Sequence, residues 1–579
     1  MKKITAYFNG KGKTVGLVLS LLPALFAVIL ALYFIWGPGE GYLHADWTDS
    51  MVWANVSVET GEVFDPEFRY AGMLPFSVSA LFVPLIHLFG AGMTAQNIGM
   101  SLIALLYIGG VMFVCRSSHF SWGWSSIAAF VSLMAMSGSD KLREMMYGHN
   151  LYYTLGPIIL FYGLGFLLRA FEALSAEGRK EKRDLTRVIL WLGAFFLLCI
   201  GTGTDMAQVI AIGSLPAFAG LFAERLFSGE EKLISKKNKI LPIAAIIFLA
   251  GSLIGLLLWN SWRGELEAGY ANAYSGWSDV ASWHDNAAAF TKQFFTLIGV
   301  NPSGILFSLE SVGPLFRLVG GILLLAIPVI MFVFYRKLSG TPVRAMLWGH
   351  TVVTLAVLLG FICGKLSGVN WRLMPILGSA SVLAVFAVRE LFLKAQKKAE
   401  PEETTEELIE ELVEKPARKP VKGNVPLRLG WIGIALLAAF SITVSAEILS
   451  MPASYGRDNT LHLLTAFLEK NDLEYGYATF WQSQSITLLS DSKVLCRMVN
   501  CSETEGVYSD YYQSSRRWYR DDSHETYFVL LSEAEYSMVS QTRSWKAWIN
   551  DCLVKTYTRS DGLTAGFRLF VFSKNVLNQ

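Results

Sequence analysis

Two carboxylates three residues apart, Asp46 and Asp49, stand in the run Tyr42–Ala54 (YLHADWTDSMVWA), just after an apolar stretch at 14–36. That stretch is long enough to cross a bilayer as one helix. Acidic groups beside a membrane helix are costly to desolvate, so their presence there asks for a function. A carboxylate in this position can take a proton from an acceptor hydroxyl or amine, or help to hold a divalent cation. On a helix the i, i+3 spacing puts both on one face, and on a loop both can still point into one cavity. The structural alternative is helix capping, since Asp is a favoured N-cap. We take Asp46 and Asp49 together as the candidate catalytic pair, one of them a general base, and leave the choice between them open.

A second group of residues suits anion binding. Arg372, in the run 370–375 (NWRLMP), opens an apolar segment at the membrane surface, where a guanidinium can grip phosphate oxygens in a bidentate fork. Lys365 a few residues earlier can add charge, the alternative being a side chain that snorkels to the headgroups. Asp140, Arg143, Glu144, Tyr147, His149 and Asn150 crowd into one loop, 137–150. Of these, Arg143, Tyr147, His149 and Asn150 are candidate substrate-binding residues, His149 because imidazole titrates near neutral pH. Asp205, after Gly201–Thr204, reads first as a helix cap. The cluster Trp283–Asn286 is weak, because adjacent residues do not share a helix face.

The rest of the chain must bring these residues together. Of 579 residues 53% are hydrophobic and only 17% charged, and mean hydropathy is +0.40. A soluble domain carries nearer a quarter charged residues, so most of this chain is expected in lipid. The net charge of +2 gives no reason to invoke nucleic acid. Six cysteines show neither CxxC nor zinc spacing, which argues against a structural metal or redox motif. The N-terminus lacks a convincing cleavage site, so the first apolar run reads as a retained span.

Spanning-length apolar stretches recur at 14–36, 95–115, 121–138, 151–170, 187–203, 206–223, 240–260, 313–335, 345–363, 372–392 and 430–450. A further one, 73–90, contains Pro75, Pro84 and His87 and barely reaches across the core. If it crossed, the basic loops around Arg179–Arg183, Lys232–Lys239 and Arg336–Arg344 would fall outside. If it lies at the outer interface or re-enters, all three become cytoplasmic, as does the tract 394–428, and the positive-inside rule is obeyed throughout. The fold class is therefore a polytopic α-helical membrane protein of about eleven spans plus a juxtamembrane or re-entrant segment.

Composition turns polar and aromatic after residue 450, where 461–469 reads as a helix and 475–480, 494–499, 527–531 and 567–572 read as strands. The expected division is a membrane domain, 1–450, with a first outer loop 37–94 and a cytoplasmic linker 393–429, and an extracytoplasmic α/β domain, 451–579. On this topology the charged and polar residues at helix ends converge on one membrane face, with membrane lipids as the surroundings.

With these motifs in order, the sequence resembles the GT-C class of membrane glycosyltransferases, which includes protein O-mannosyltransferases and aminoarabinose transferases of lipid A. The likeness is carried by Asp46 and Asp49 ahead of Trp53–Ala54, by Gly61 and Tyr70–Pro75 (YAGMLP), and by the juxtamembrane Leu88–Gly90. It continues in Gly148–Tyr153 (GHNLYY), Arg372–Pro375 (RLMP) and Tyr475–Trp481 (YGYATFW) with Ile486–Ser490. The resemblance implies a sugar donor carried on a polyprenyl phosphate or pyrophosphate and used at the outer face. It implies base catalysis by a first-loop aspartate, donor phosphate on Arg372, Tyr70 among the substrate contacts, and a glycan, lipid or protein acceptor. Position 373 is Leu where the family usually has an aromatic. The second loop carries His149–Asn150 where an acidic residue is frequent, with Asp140 and Glu144 upstream, which argues against a two-carboxylate metal site and leaves the need for a divalent cation open. A transporter or flippase for a lipid-linked or polar substrate, or a non-catalytic envelope assembly protein, remains the alternative class. The first of these should place ionisable groups near the membrane midplane.

Overall fold

The computed structural model describes residues 13–149, 152–175, 182–228, 240–267, 276–300, 311–365, 369–399 and 425–578. Ten helices among them are long and apolar enough to cross a membrane, from Gly16–Ile35 and Met93–Ser117 to Asn370–Gln396 and Val425–Ser450. The stretch expected at 121–138 is a shorter helix, Trp122–Ala135, of 14 residues, about 21 Å at 1.5 Å per residue. It still joins opposite faces. The His119 carbonyl just before it accepts a hydrogen bond from Arg389, near the far end of Asn370–Gln396 from Arg372. Just after it, Ser137 bonds the Tyr147 hydroxyl on the side that carries the aspartates. Among the described residues this gives eleven candidate crossings, ten long and one short.

Without water to drive apolar faces together, membrane helices associate where small residues let backbones approach. Gly203 and Gly255 show this between neighbouring spans. A Cβ on Gly255 would lie 2.2 Å from the Ile200 carbonyl oxygen, and one on Gly203 2.8 Å from the Gly255 Cα.

The segment 73–90 does not cross. It is a single π turn, Pro75–Ser79, followed by the helix Ala80–Phe89. Proline at its first position spends no N–H, and the next two, of Phe76 and Ser77, donate to the two oxygens of Asp205 at 2.7 and 2.9 Å. Asp205 is thus a cap, but for this segment and not for its own helix, whose side-chain cap is missing. Before the segment, Phe68 and Arg69 pair with Ser515 and Tyr512 of the C-terminal domain. After it, the Ala91 carbonyl bonds Ser492, and the Met93 N–H donates to Asp491 at 2.8 Å. Both ends therefore meet the same domain on the same face, while Leu88 and Phe89 stay exposed.

The C-terminal domain is a six-stranded mixed sheet in the order β3-β2-β1-β4-β6-β5, with β1 (Tyr475–Ala478), β2 (Leu495–Ser502), β3 (Gly506–Ser509), β4 (Tyr527–Ser532), β5 (Leu553–Tyr557) and β6 (Phe567–Phe572). Period-two alternation buries both faces. Tyr527, Val529 and Leu531 of β4 pack with Trp545 and Val539 of the helices Arg543–Cys552 and Glu533–Val539. Phe528 and Leu530 pack with Leu464, Leu468 and Ile486 of the helices Thr460–Lys470 and Phe480–Leu489. The four expected strands are present. The two unexpected ones, β3 and β5, are short edges with little buried alternation, so the pattern that reveals a strand is missing.

The first loop is riveted to this domain. Asp65, 1% exposed, pairs with Arg517 at 2.7 Å and accepts from Ser515 at 3.2 Å. The Gln513 N–H donates to the Arg69 carbonyl at 2.9 Å, and the Arg516 N–H to the Glu67 carbonyl at 3.1 Å.

Candidate functional site

The first span ends at Ile35, and two short turns, Pro38–Tyr42 and Ala45–Thr48, carry the chain into the helix Asp49–Thr60. Asp46 lies in the second turn, and Asp49 opens the helix, where the helix dipole favours a negative group. Neither is a side-chain N-cap, so the capping role is excluded for both.

Their surroundings differ. The Asp46 carboxylate is 43% exposed, and its Oδ2 lies 3.9 Å from His44 Nδ1. The other nitrogen of that ring, Nε2, is 3.3 Å from Glu144 Oε1, and His149 Nε2 is 3.4 Å from the same oxygen. Lys141 adds its ammonium at 2.6 Å from Glu144 Oε2. Burial works to raise the Glu144 acid, but the hydrogen bonds from His149, His44 and Lys141 together outweigh it and hold it well below the usual carboxylate range. Glu144 is thus a fixed anion that orients two imidazoles toward Asp46.

Asp49 is turned the other way. Its Oδ1 accepts from Gln513 Nε2 at 2.8 Å, and Gln513 Oε1 accepts from Trp53 Nε1 at 2.6 Å. Desolvation, with Asp46 nearby as a second cause, pushes the Asp49 acid well above its ordinary value.

The approach of the two histidines depends on Gly148. A Cβ there would stand 2.2 Å from the Trp47 ring, so only glycine lets the second loop close on the first turn. The rings of His44 and His149 end 5.9 Å apart. The aromatic run recognised in the C-terminal domain supplies the remaining wall, with the Trp481 ring 6.3 Å from that of His44.

Arg372 lies in a turn, Asn370–Leu373, at the start of its span. Its Nε is buried without a hydrogen-bond partner, and no carboxylate lies within 4 Å of it among the described residues. Its neighbour Trp371 takes Lys141 Nζ over its ring at 4.9 Å. A chain of direct contacts therefore runs from Trp371 through Lys141, Glu144 and His44 to Asp46, and puts the arginine turn and the aspartates on one face. Lys365 is exposed, with its N–H donating to Gly276 at 3.3 Å.

Other expected residues are placed elsewhere. Arg143 is 1% exposed and committed to Asp140 at 2.5 Å and Glu447 at 2.9 Å, the latter shared with Arg317. Tyr147 is buried against Phe34, with its hydroxyl on Ser137 at 2.7 Å. Tyr70 braces the first loop by accepting from the Asp65 N–H at 2.8 Å. These three hold the frame rather than face the group around Asp46. Asn150 lies outside the described residues. His44, Glu144, Gln513 and Trp481 were not among the expected site residues. For Glu144 and His149 the signal was their crowding in one loop. For Gln513 no local signal exists.

His44, Asp46 and His149 also form a set whose ligand atoms lie within 4.8 Å of one another. Nδ1 of His149 and Nδ1 of His44 are buried without hydrogen-bond partners among the described residues, while His149 Nε2 stands 3.4 Å from Glu144. Two imidazoles and a carboxylate suit a transition-metal or zinc ion, so these residues fit a divalent cation.

No family profile and no curated sequence matches the chain. Solved structures do. ArnT from Cupriavidus metallidurans bound to undecaprenyl phosphate superposes with a TM-score of 0.52 at 13% identity, over 98% of this chain and 100% of ArnT. Its apo state gives 0.50 at 13%, over 96% and 98%. The Archaeoglobus fulgidus oligosaccharyltransferase in complex with zinc and sulfate gives 0.49 at 15%, over 88% of this chain and 68% of that one. The chain has the fold of the GT-C glycosyltransferases. Within that class the ArnT fold matches it across both the membrane helices and the C-terminal sheet domain.

Proposed function

We infer that the protein is a glycosyltransferase that moves a sugar from a polyprenyl-phosphate donor to an acceptor at the face carrying the C-terminal domain. The observation that carries this reading is the placement of an accessible carboxylate, Asp46, and a guanidinium, Arg372, whose buried Nε has no partner among the described residues, on one face of an ArnT-like fold. That face is extracytoplasmic on charge grounds, because Arg336 and Lys337 sit in a turn between spans at the opposite face.

Asp46 is the general base. It takes the proton of the acceptor hydroxyl or amine as that group attacks the anomeric carbon, and the bond to the donor phosphate breaks with its electrons leaving on phosphate. Arg372 accepts the growing negative charge of the leaving phosphate in a fork of N–H donors, with Lys365 as a further cation nearby in sequence. A single displacement of this kind inverts the anomeric centre. Glu144 keeps His44 and His149 oriented, and Asp49, with its raised pKa, supports the turn through Gln513. A divalent cation, if bound by His44, Asp46 and His149, supplies Lewis-acid stabilisation of phosphate charge.

The test is transfer of radiolabelled sugar from a polyprenyl-phosphate donor by the purified protein in lipid nanodiscs. Asp46→Asn is expected to lower turnover by ~10²–10⁴-fold with folding unchanged. Full activity in that variant would overturn the assignment.

A further inference from the structure

A crevice between the C-terminal domain and the first-loop helix takes no part in the chemistry above. It is lined by Thr48, Met51 and Asn55 of the loop and by Gln484, Arg497 and Trp518 of the domain; its enclosed part is small, about 20 Å³, and the rest opens to solvent. Arg497 is only 5% exposed, yet among the described residues no carboxylate lies within 4 Å of it, and its Nε has no hydrogen-bond partner. Its guanidinium carbon sits 3.9 Å from the centre of the Trp518 ring and 5.8 Å from that of Tyr475, which fixes the cation in place. Gln484, 4% exposed, lines the same crevice, and its Nε2 is likewise unpartnered.

The nearby carboxylates are occupied. Glu59 holds Asn55 at 2.7 Å and the Trp518 indole at 3.2 Å. Asp521 is engaged by its own turn at Ser523. Leaving a buried donor unsatisfied is destabilising, so two at one crevice describe a place built for acceptor oxygens.

We propose that this crevice binds an oxyanion, a carboxylate or phosphate carried on a sugar, through Arg497 and Gln484. Resting on the glycosyltransferase reading, it makes the crevice an anchoring subsite for an anionic acceptor. The helix Phe480–Leu489 places Trp481 against His44 and, one turn on, Gln484 at the crevice, while Thr48 on the opposite wall directly precedes Asp49. An acceptor held by its anion at Arg497 is therefore gripped beside the same helix whose Trp481 stands against His44.

The test needs no donor. The full-length protein in maltoside detergent is titrated with glucuronate, glucose 6-phosphate, inorganic phosphate and neutral glucose, with tryptophan fluorescence and Tm as readouts. Binding of glucuronate, glucose 6-phosphate or both, with glucose inert, is expected. Arg497→Met and Gln484→Leu should each weaken it about tenfold or more, the loss of one charge-assisted or buried hydrogen bond. Inorganic phosphate binding alongside the sugar phosphate identifies the oxyanion as the determinant, and glucuronate binding alone identifies a carboxylate acceptor. If Arg497→Met does not fold, Arg497→Lys and Gln484→Leu decide. Absence of saturable anion binding, or binding unchanged in the variants, overturns the proposal. Failure of sugar transfer would count against the enzymatic reading and leave this binding result standing.

Discussion

Asp46 and Asp49 are three residues apart and meet opposite electrostatics, one exposed beside two imidazoles and the other packed against Gln513. Their substitutions should therefore part company. Asp46→Asn should lower turnover by the ~10²–10⁴-fold of a lost general base. Asp49→Asn should act mainly on stability, and with a definite sign. The folded protein holds the Asp49 proton more tightly than the unfolded chain does, so stability falls as pH rises above the ordinary value of 3.8. Asn at that position cannot ionise, and Tm measured against pH should lose this falling limb, with the variant gaining on the parent toward neutral pH. Glu144 behaves in the reverse sense. Its pKa is depressed, so its contribution is present above the ordinary value of 4.5 and is lost as pH falls below it. Glu144→Gln should remove that acid limb and also lower transfer, by releasing His44 and His149. If the three-residue set holds a cation, chelation should lower transfer, and elemental analysis should find less metal in His149→Ala than in the parent. The aspartates and Arg372 were legible in the sequence because charge beside an apolar run is conspicuous. Gln513 was not, because its contact with Asp49 spans 464 residues and leaves no local pattern.

At the scale of elements, the turn before His149 and the docking of the first loop are the points where small changes should travel furthest. Gly148→Ala brings a methyl group into the Trp47 ring, and overpacking of that kind costs ~1–3 kcal/mol. The expected result is a folded protein with a displaced His149 and reduced transfer, read by the activity assay together with near-UV circular dichroism. Arg517→Ala leaves the buried Asp65 with only the Ser515 hydroxyl and the Glu67 N–H. Since Arg517 is itself about half exposed, the cost should be ~1–2 kcal/mol rather than that of a fully buried pair. Hydrogen exchange should quicken at the Arg69 and Arg516 amides, which the docking protects. Hydropathy located the spans, yet it made the helix at Trp122–Ala135 longer than it is, because Ser121 caps its start and the chain turns at Met136. The status of 73–90 was decided by charge in the loops. Its anchoring on Asp205 was out of reach, because a cap offered across 128 residues looks in sequence like a cap on the nearest helix.

For the molecule as a whole, the arrangement predicts sidedness. In a background with the half-buried Cys501 replaced by Ser, Glu62→Cys and Ala91→Cys flank the segment that turns back, and an impermeant thiol reagent should label both from one side of intact cells. Labelling from opposite sides would make the segment a true crossing and invert every later loop. The contact between Gln513 and Asp49 has a further consequence for biogenesis. The setting of the first-loop carboxylates is finished only after the ribosome and translocon have delivered the chain as far as Gln513. On the proposed glycosyltransferase reading, chains stopped short of that residue would sit inserted in the bilayer with every span in place and yet transfer no sugar.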